Sequence, residues 1–264
     1  MGDRDMSRQL TSGVLGRKNL ADEYIKRVIS DGGIIINKQV VIDEFARLLN
    51  EDEFDSLEFC WKYGCGIKIN EDGLVETLYD LSTKKNDAEN LIVGENNRLI
   101  YDPELDYINT IGTYFRFDIN AHNFWAKKPG SVKIEMSWNT SSSVGNFLSN
   151  GANANGIPGF LLWVGTTGGL QNRISDETTR TNHSLNREIS NDGGTFDFIE
   201  FSWNGLTGSN THKTRLNGGN IQLTTIQREF DEPQNSSVRF GSRLGSWDTV
   251  MKFKYLQLNG KELM

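Results

Sequence analysis

Hydrophobic residues in the first quarter of the chain recur at the spacing of an α-helix. Between residues 21 and 33, four of them occupy positions i, i+1, i+4 and i+5, and a Gly-Gly pair that should stop the helix follows. They are Tyr24, Ile25, Val28 and Ile29. Residues 37–64 carry a second series near the 3.6-residue period: Val41, Phe45, Leu48, Leu49, Phe54, Leu57 and Trp61. We therefore predict two or three short helices from Ala21 onward, which form a small cap with its own core rather than a peptide-binding groove.

From residue 65 onward the pattern changes to the alternation of β-strands. Residues 65–82 predict a hairpin whose turn is the sequence EDG at 71–73. From Gly112 to Met264 one alternating segment follows another, separated by turns rich in Gly, Asn and Asp, and no helical pattern interrupts them. Many strands joined in this way predict an antiparallel sandwich or barrel. We expect four aromatic side chains to lie between or against its sheets: Phe117, Trp138, Trp163 and Phe201.

Composition narrows the functions open to such a fold. The 264 residues carry a net charge of -7, so no basic face for phosphates is expected and nucleic acid is not predicted as a partner. No run of about 18 apolar residues is present, so no membrane span is predicted. The 27 glycines and 4 prolines suit a protein with many tight turns between strands.

Residues that could bind a metal are widely separated in the sequence. Cys60 and Cys65 form a C-x4-C pair without a second pair, and the three histidines are distant in sequence. We expect two buried free thiols, with a disulfide as the alternative, and neither a metal nor another cofactor. The oxygen-rich sequences DETTR and NDGG, at 176–180 and 191–194, could contribute to a calcium shell, but we interpret them as solvated turns.

The sequence LYDLSTKKNDA, from Leu78 to Ala88, joins the helical and the strand patterns and carries a specific set of polar residues. Asp80 and Ser82 can accept hydrogen bonds from the backbone N–H groups of a tight turn, and Asn86 and Asp87 can close it. We therefore predict a structural loop that seats the first strand of the sandwich, with a metal or ligand site as the alternative.

The same sequence resembles the one that precedes many concanavalin A-like (laminin G-type) jelly-roll domains in proteins of tailed bacteriophages. That pattern is Tyr/Trp-Asp-x-Ser-Gly-x-x-Asn-(Asp/His)-Ala, and this chain departs from it at Thr83, where the pattern has Gly. The chain keeps Tyr79, Asp80, Ser82, Asn86, Asp87 and Ala88. Two later sequences, FIEFSWNGLTG with KTRLNGGNIQ and VRFGSRLGSWDTVMKFKYLQLNGKEL, resemble a strand pair and the closing segment of these domains. The resemblance covers Ala21 to Met264.

This resemblance implies a mainly β fold, with an antiparallel jelly-roll sandwich of the concanavalin A-like lectin/glucanase type in residues 78–264. A small helical region with a hairpin, residues 21–77, would precede it. The implied function is that of a non-enzymatic structural protein of a phage particle: a head decoration, head fibre or compact tail component, assembled in the host cytoplasm and located in the virion. Its partners would be capsid or tail subunits and surface glycans. The alternative functions are a free carbohydrate-binding module and a tail receptor-binding protein.

Residues 1–20 form a polar N-terminal arm with few large apolar side chains. Alone, such a segment cannot offset the entropy of ordering its backbone, about 1–2 kcal/mol per residue. We expect Leu10, Val14 and Leu15 to anchor the arm against a neighbouring subunit, and the protein to form a homo-oligomer.

Some proteins with this fold are glycanases, whose activity depends on a pair of catalytic carboxylates. Retaining members carry Glu-x-Asp-x-x-Glu on a strand, where one Glu is the nucleophile and the other the acid/base. The nearest match is TFDFIE, in which Asp197 and Glu200 fit but Thr195 stands at the nucleophile position. Threonine cannot form the glycosyl ester, so we predict no catalytic residues and no enzyme activity.

Tryptophans are the candidates for contact with a glycan, because an indole ring offers a flat face for a sugar ring. Trp163 and Trp203 lie within strand patterns and are expected in the core. Trp125 and Trp247 lie in polar surroundings, so these two are the predicted glycan-binding residues.

Overall fold

The computed structural model describes residues 19–91, 98–111, 114–118, 128–139, 145–149, 159–165, 168–175, 180–205, 210–226, 237–241 and 250–264. Two helices precede most of the strands: α1 covers residues 19–30 and α2 covers Lys38–Asn50. The Asn37 side chain caps α2 by accepting the N–H groups of Gln39 and Val40. Gly32, at φ 78°, ends the turn after α1 in the left-handed region that glycine tolerates best.

The strands are β1 (Ile34–Ile35), β2 (Leu57–Lys62), β3 (Gly66–Ile69), β4 (Val75–Leu78), β5 (Ala88–Leu91), β6 (Arg98–Tyr101), β7 (Ile108–Ile111), β8 (Tyr114–Asp118), β9 (Gly130–Asn139), β10 (Gly145–Ser149), β11 (Gly159–Val164), β12 (Gly169–Ser175), β13 (Arg180–Glu188), β14 (Asp197–Trp203), β15 (Asn210–Leu216), β16 (Gln222–Ile226), β17 (Ser237–Gly241) and β18 (Val250–Asn259). A 3-10 turn, Phe54–Ser56, lies between α2 and β2.

The described strands form two antiparallel sheets. The larger sheet has the order β1-β3-β4-β5-β8-β17-β10-β11-β12-β13. The smaller sheet has the order β16-β15-β14-β9-β18-β7-β6, and β2 pairs with β18 beside this path. Their inward side chains form one continuous core, in which Trp138 and Phe201 are buried as predicted. The fold therefore confirms the predicted mainly β, antiparallel jelly-roll sandwich.

The other two predicted core aromatics have different outcomes. Trp163 is buried, but it packs with Leu161 in a separate small cluster, whereas Leu162 and Val164 on the opposite face of β11 belong to the main core. The side chain of Phe117 lies outside the described residues.

The prediction of a helix around residues 54–61 is wrong, because this segment forms the 3-10 turn and then β2. Leu57, Phe59 and Trp61 alternate into the core, so their spacing fits a strand as well as a helix. The predicted cap also has no core of its own, since the buried residues of α1 and α2 belong to the same cluster as the sandwich.

Strands that precede residue 78 continue the two sheets. β4 pairs with β5 across the joint, through Leu78 and Ala88, and β2 pairs with β18 near the end of the chain. The predicted hairpin is present as β3 and β4, with Gly73 at φ 79° in its turn.

Asp80 organises the joint between β4 and β5. One carboxylate oxygen accepts the backbone N–H groups of Cys60 and Ser82, each at 2.9 Å. The other accepts the backbone N–H of Asn86 at 2.9 Å and the hydroxyl of Ser82. Burial raises the pKa of Asp80 to about 6, while these donors act in the opposite direction. The predicted structural role of this loop is confirmed, but β5, which follows it, is not the first strand of the sandwich.

The remaining sequence expectations concern thiols, metals and membranes. Cys60 and Cys65 are buried free thiols, not a disulfide. In the described part of the chain, no group of three or more His, Cys, Asp or Glu side chains could hold a metal ion. Asp192 of the NDGG sequence accepts the backbone N–H groups of Gly194 and Thr195 in a turn. Among the described residues, no helix is long and apolar enough to cross a membrane.

Candidate functional site

Two rows of side chains cross the outer face of the smaller sheet. Strand pairing aligns Phe198, Glu135, Tyr255 and Lys62, from β14, β9, β18 and β2, in the first row. The second row aligns Arg215, Glu200, Lys133, Gln257 and Cys60. These residues face outward because their strand neighbours, among them Ile134 and Ile199, fill the core.

Helix α2 covers one end of both rows. Arg47 donates to Glu44 at 2.7 Å on the helix, and also to Tyr255 at 2.6 Å and Gln257 at 2.8 Å on β18. Lys62 of β2 reaches Glu44 at 2.9 Å. Charged groups therefore hold the helix on a sheet face that would otherwise be open to solvent.

Ion pairs continue beyond the helix. Lys133 donates to Glu53 at 2.5 Å, and the Glu53 carboxylate also accepts from Gln257 at 2.7 Å. At the far end of the second row, Arg215 holds both oxygens of Glu200, one of them at 2.6 Å.

A cleft of about 520 Å³ opens between α2 and strands β9, β14 and β15. Its floor includes Phe198, Glu135 and Tyr255, and its rim includes Gly218 in the turn after β15. Asn217 and Gly218 both adopt left-handed backbone, at φ 51° and 69°. The Asn217 side chain fixes this rim by accepting the Phe198 N–H at 2.7 Å.

Two aromatic rings flank an acidic group on the floor of the cleft. The rings of Phe198 and Tyr255 approach to 6.2 Å between centroids, across the strand that carries Glu135. Phe198 is half-buried, whereas Tyr255 is only 5% exposed. Within the part of the chain that the structure describes, the Glu135 carboxylate has no hydrogen-bond or ion-pair partner. The cleft therefore combines an aromatic surface with a carboxylate that can accept hydrogen bonds.

A second cavity, of about 210 Å³, lies between α1 and the joint. Tyr24, Phe45 and Phe54 line it. Its guanidinium, Arg27, already donates to Asp87 and to the Asp80 carbonyl, each at 2.6 Å. This cavity is smaller than the cleft and its guanidinium is committed to the joint, so the cleft is the stronger candidate for ligand binding.

The buried carboxylate of Glu44 is stabilised as an anion. Burial acts to raise the pKa of Glu44, but the hydrogen bonds and charges of Arg47 and Lys62 outweigh it, so the pKa lies below its usual value. Because the pKa of Glu44 is lower in the folded state, its ionised carboxylate stabilises the fold when the pH lies above the ordinary pKa of glutamate. This contribution is lost as the pH falls through the lowered pKa.

We predict that the stability difference between the wild type and Glu44→Gln is largest at neutral pH and shrinks as the pH falls below about 4.5. The measurement is urea denaturation of both proteins across this pH range. The comparison removes the opposite effect of Asp80, whose raised pKa favours the folded state on acidification through pH 6. A difference that grows on acidification would contradict the assignment.

The structure tests only some of the residues predicted from the sequence. Trp125, Trp247, Leu10, Val14 and Leu15 lie outside the described residues. Trp203 is buried as expected, and its indole N–H donates to the Lys128 carbonyl at 2.8 Å.

The residues of the glycanase-like sequence have other contacts. Thr195 is exposed and its hydroxyl donates to Asp192 at 2.6 Å. Asp197 accepts the Ser190 N–H at 2.7 Å, and Glu200 is paired with Arg215. Asp197 and Glu200 thus stabilise the strand ends and the outer face.

The sequence interpretation missed Phe198, Glu135 and Tyr255. The available signal was an aromatic residue on the polar face of β14: Phe198 alternates with Asp197 and Ile199, which are buried. Glu135 likewise sits on the polar face of β9.

Comparison with known proteins supports the fold. No family model matches the sequence, and no similar sequence is found among curated proteins. Among solved structures, the chain is similar to botulinum neurotoxin type C, which enters cells by a route dependent on interaction with two ganglioside molecules (TM-score 0.55, 15% identity, 81% of this chain and 50% of that chain). It is also similar to the binding domain of botulinum neurotoxin DC in complex with rat synaptotagmin II (TM-score 0.53, 14% identity, 80% of this chain and 49% of that chain). A third similar structure is the binding domain of Paraclostridial Mosquitocidal Protein 1 (TM-score 0.57, 13% identity, 80% of this chain and 50% of that chain).

The chain spans about half the length of these structures. At 13–15% identity the likeness concerns the fold alone. None of these three structures is a phage virion protein, so they support the sandwich but not the virion setting.

Proposed function

We propose that this chain is a non-catalytic binding module that takes a glycan in the cleft between α2 and the outer face of the smaller sheet. The observation that carries the proposal is the row of Phe198, Glu135 and Tyr255, which lines a cleft of about 520 Å³. The similarity of the fold to binding domains of other proteins supports a binding role.

Sugar rings have one apolar face and many hydroxyl groups. A binding site for them therefore needs an aromatic surface together with a few well-placed polar groups. Phe198 supplies the aromatic surface, and its ring is held by its contact with Tyr255. Ion pairs fix the walls around it, so the cleft is preformed and little ordering is required on binding.

Catalysis is not part of the proposal, although two of the carboxylates that line the cleft lie close together. Glu135 and Glu200 are diagonal neighbours on β9 and β14, and glycosidases use two carboxyl groups on either side of the scissile bond. Arg215 occupies both oxygens of Glu200, so this group is not free to protonate a leaving sugar. We expect the purified protein to leave β-glucans and galactans intact.

Replacing Phe198 with alanine should weaken glycan binding by about tenfold or more while the protein stays folded, because the half-buried ring provides the aromatic surface of the cleft floor. The matched control is Phe196→Ala. Phe196 precedes Phe198 by two residues, packs against Tyr107 and does not line the cleft. Binding would be measured on a glycan array and then by calorimetry with the tightest-binding member. Equal losses in the two variants would contradict the assignment of the site.

The role of a virion structural protein, anchored through Leu10, Val14 and Leu15, is a separate proposal. It rests on the sequence resemblance to phage jelly-roll proteins, and the structural comparisons add no support to it. Mass spectrometry of purified phage particles would detect this chain if the proposal is right.

A further inference from the structure

We infer that the cleft selects an uncharged pyranose, whose hydroxyl groups donate to Glu135, and discriminates against sugars that carry a carboxylate. This inference rests on the proposed glycan-binding function and names the class of glycan that the same site accepts. It follows from the charges that line the cleft.

The cleft is formally neutral. Four basic side chains line it: Arg47, Lys62, Lys133 and Arg215. Four acidic side chains balance them: Glu44, Glu51, Glu135 and Glu200. A neutral cleft provides no net attraction for an anionic ligand.

Each of the basic groups is already bonded to a carboxylate. Arg215 holds Glu200, Lys62 holds Glu44 at 2.9 Å, and Lys133 holds Glu53 at 2.5 Å. Arg47 is bonded to Glu44 at 2.7 Å. A sialic acid or uronic acid would have to compete with these carboxylates for the same N–H donors.

Glu135 is the acidic side chain of the lining for which no partner is found in the described ranges. An ionised carboxylate only accepts hydrogen bonds, and its two oxygens can take two neighbouring donors. Adjacent hydroxyl groups of a neutral pyranose provide that pair of donors. A carboxylate on the ligand would instead meet Glu135 as a like charge.

The geometry brings both contacts to one sugar ring. Glu135 lies in register between Phe198 and Tyr255, so a ring stacked on Phe198 has its edge over the strand of Glu135. Hydrogen bonds to a charged acceptor are stronger than those between neutral groups, which gives Glu135 a large share of the selectivity.

The test uses the full chain on an array of glycan pairs that differ only in a terminal sialic acid or uronic acid. We expect the neutral member of each bound pair to bind at least about tenfold tighter. Glu135→Gln should lose most of this binding, because an amide cannot accept two donors equally well. The control variant is Glu76→Gln, which changes an exposed carboxylate on β4 of the other sheet.

Different results overturn different parts of the account. Tighter binding of the sialylated members, or of an amino sugar over its N-acetylated form, would overturn the inference while leaving a glycan-binding site in place. Binding that Glu135→Gln leaves unchanged would overturn it as well. If no glycan of either class binds, the proposed function itself fails, and this inference fails with it.

Discussion

Asp80→Ala should destabilise the protein by about 3–5 kcal/mol, because it leaves several buried donors without an acceptor. The side chain of Asp80 is fully buried and accepts the backbone N–H groups of Cys60, Ser82 and Asn86. These donors belong to β2 and to the joint between β4 and β5, so the loss of the Asp80 carboxylate affects both sheets at once. Urea denaturation followed by circular dichroism would measure the change.

Two controls separate the acceptor role of Asp80 from the loss of side-chain volume. Asp80→Asn keeps the shape of the side chain but places an NH2 donor where the backbone N–H groups need an acceptor. We therefore expect a loss of stability smaller than that of Asp80→Ala. Asp72→Ala removes an exposed carboxylate in the β3–β4 turn and should change stability by less than about 0.5 kcal/mol. A loss below about 1 kcal/mol for Asp80→Ala would contradict the account of the joint.

Arg47→Ala should cost about 3–5 kcal/mol, because it removes the guanidinium that two buried carboxylates share and leaves each of them with a single lysine. Glu44 is fully buried and Glu53 is 5% exposed, and Arg47 is bonded to both. The same guanidinium bridges α2 to β18 through Tyr255 and Gln257. The variant should therefore also loosen the helix over the cleft and weaken glycan binding.

A matched arginine on the surface provides the comparison. Arg116 is 38% exposed and its distance to Glu89 is 4.0 Å, so Arg116→Ala should change stability by less than about 0.5 kcal/mol. Adding Glu44→Gln and Glu53→Gln to Arg47→Ala should recover part of the loss, since the buried negative charge that Arg47 no longer balances is then removed. Equal losses of stability in Arg47→Ala and Arg116→Ala, or no recovery in the triple variant, would contradict the role assigned to the charges under α2.

Local periodicity was enough to predict the helices, the hairpin and the inward faces of strands such as β9. It failed at β2 because the apolar residues there fit two different periods. Phe54, Leu57 and Trp61 match a helical period, while Leu57, Phe59 and Trp61 match a strand. The contact that decides between them, the pairing of β2 with β18, lies far away in the sequence.

The same distinction separates the joint from the cleft. The contacts of Asp80 with Ser82 and Asn86 are local, so the sequence predicted the role of this loop correctly. The cleft is assembled from residues of β9, β14, β18 and α2, and its register follows from strand pairings that no local pattern contains. For that reason the sequence pointed to loop tryptophans as glycan contacts, while Phe198 and Glu135 were missed.

A crystal structure of the protein with the neutral oligosaccharide that binds tightest on the array would test the central claim most directly. The account predicts a sugar ring stacked on Phe198, with two hydroxyl groups within hydrogen-bonding distance of Glu135 and the ion pair between Arg215 and Glu200 intact. A sugar bound elsewhere, for example against Trp125 or Trp247 with the cleft empty, would contradict it.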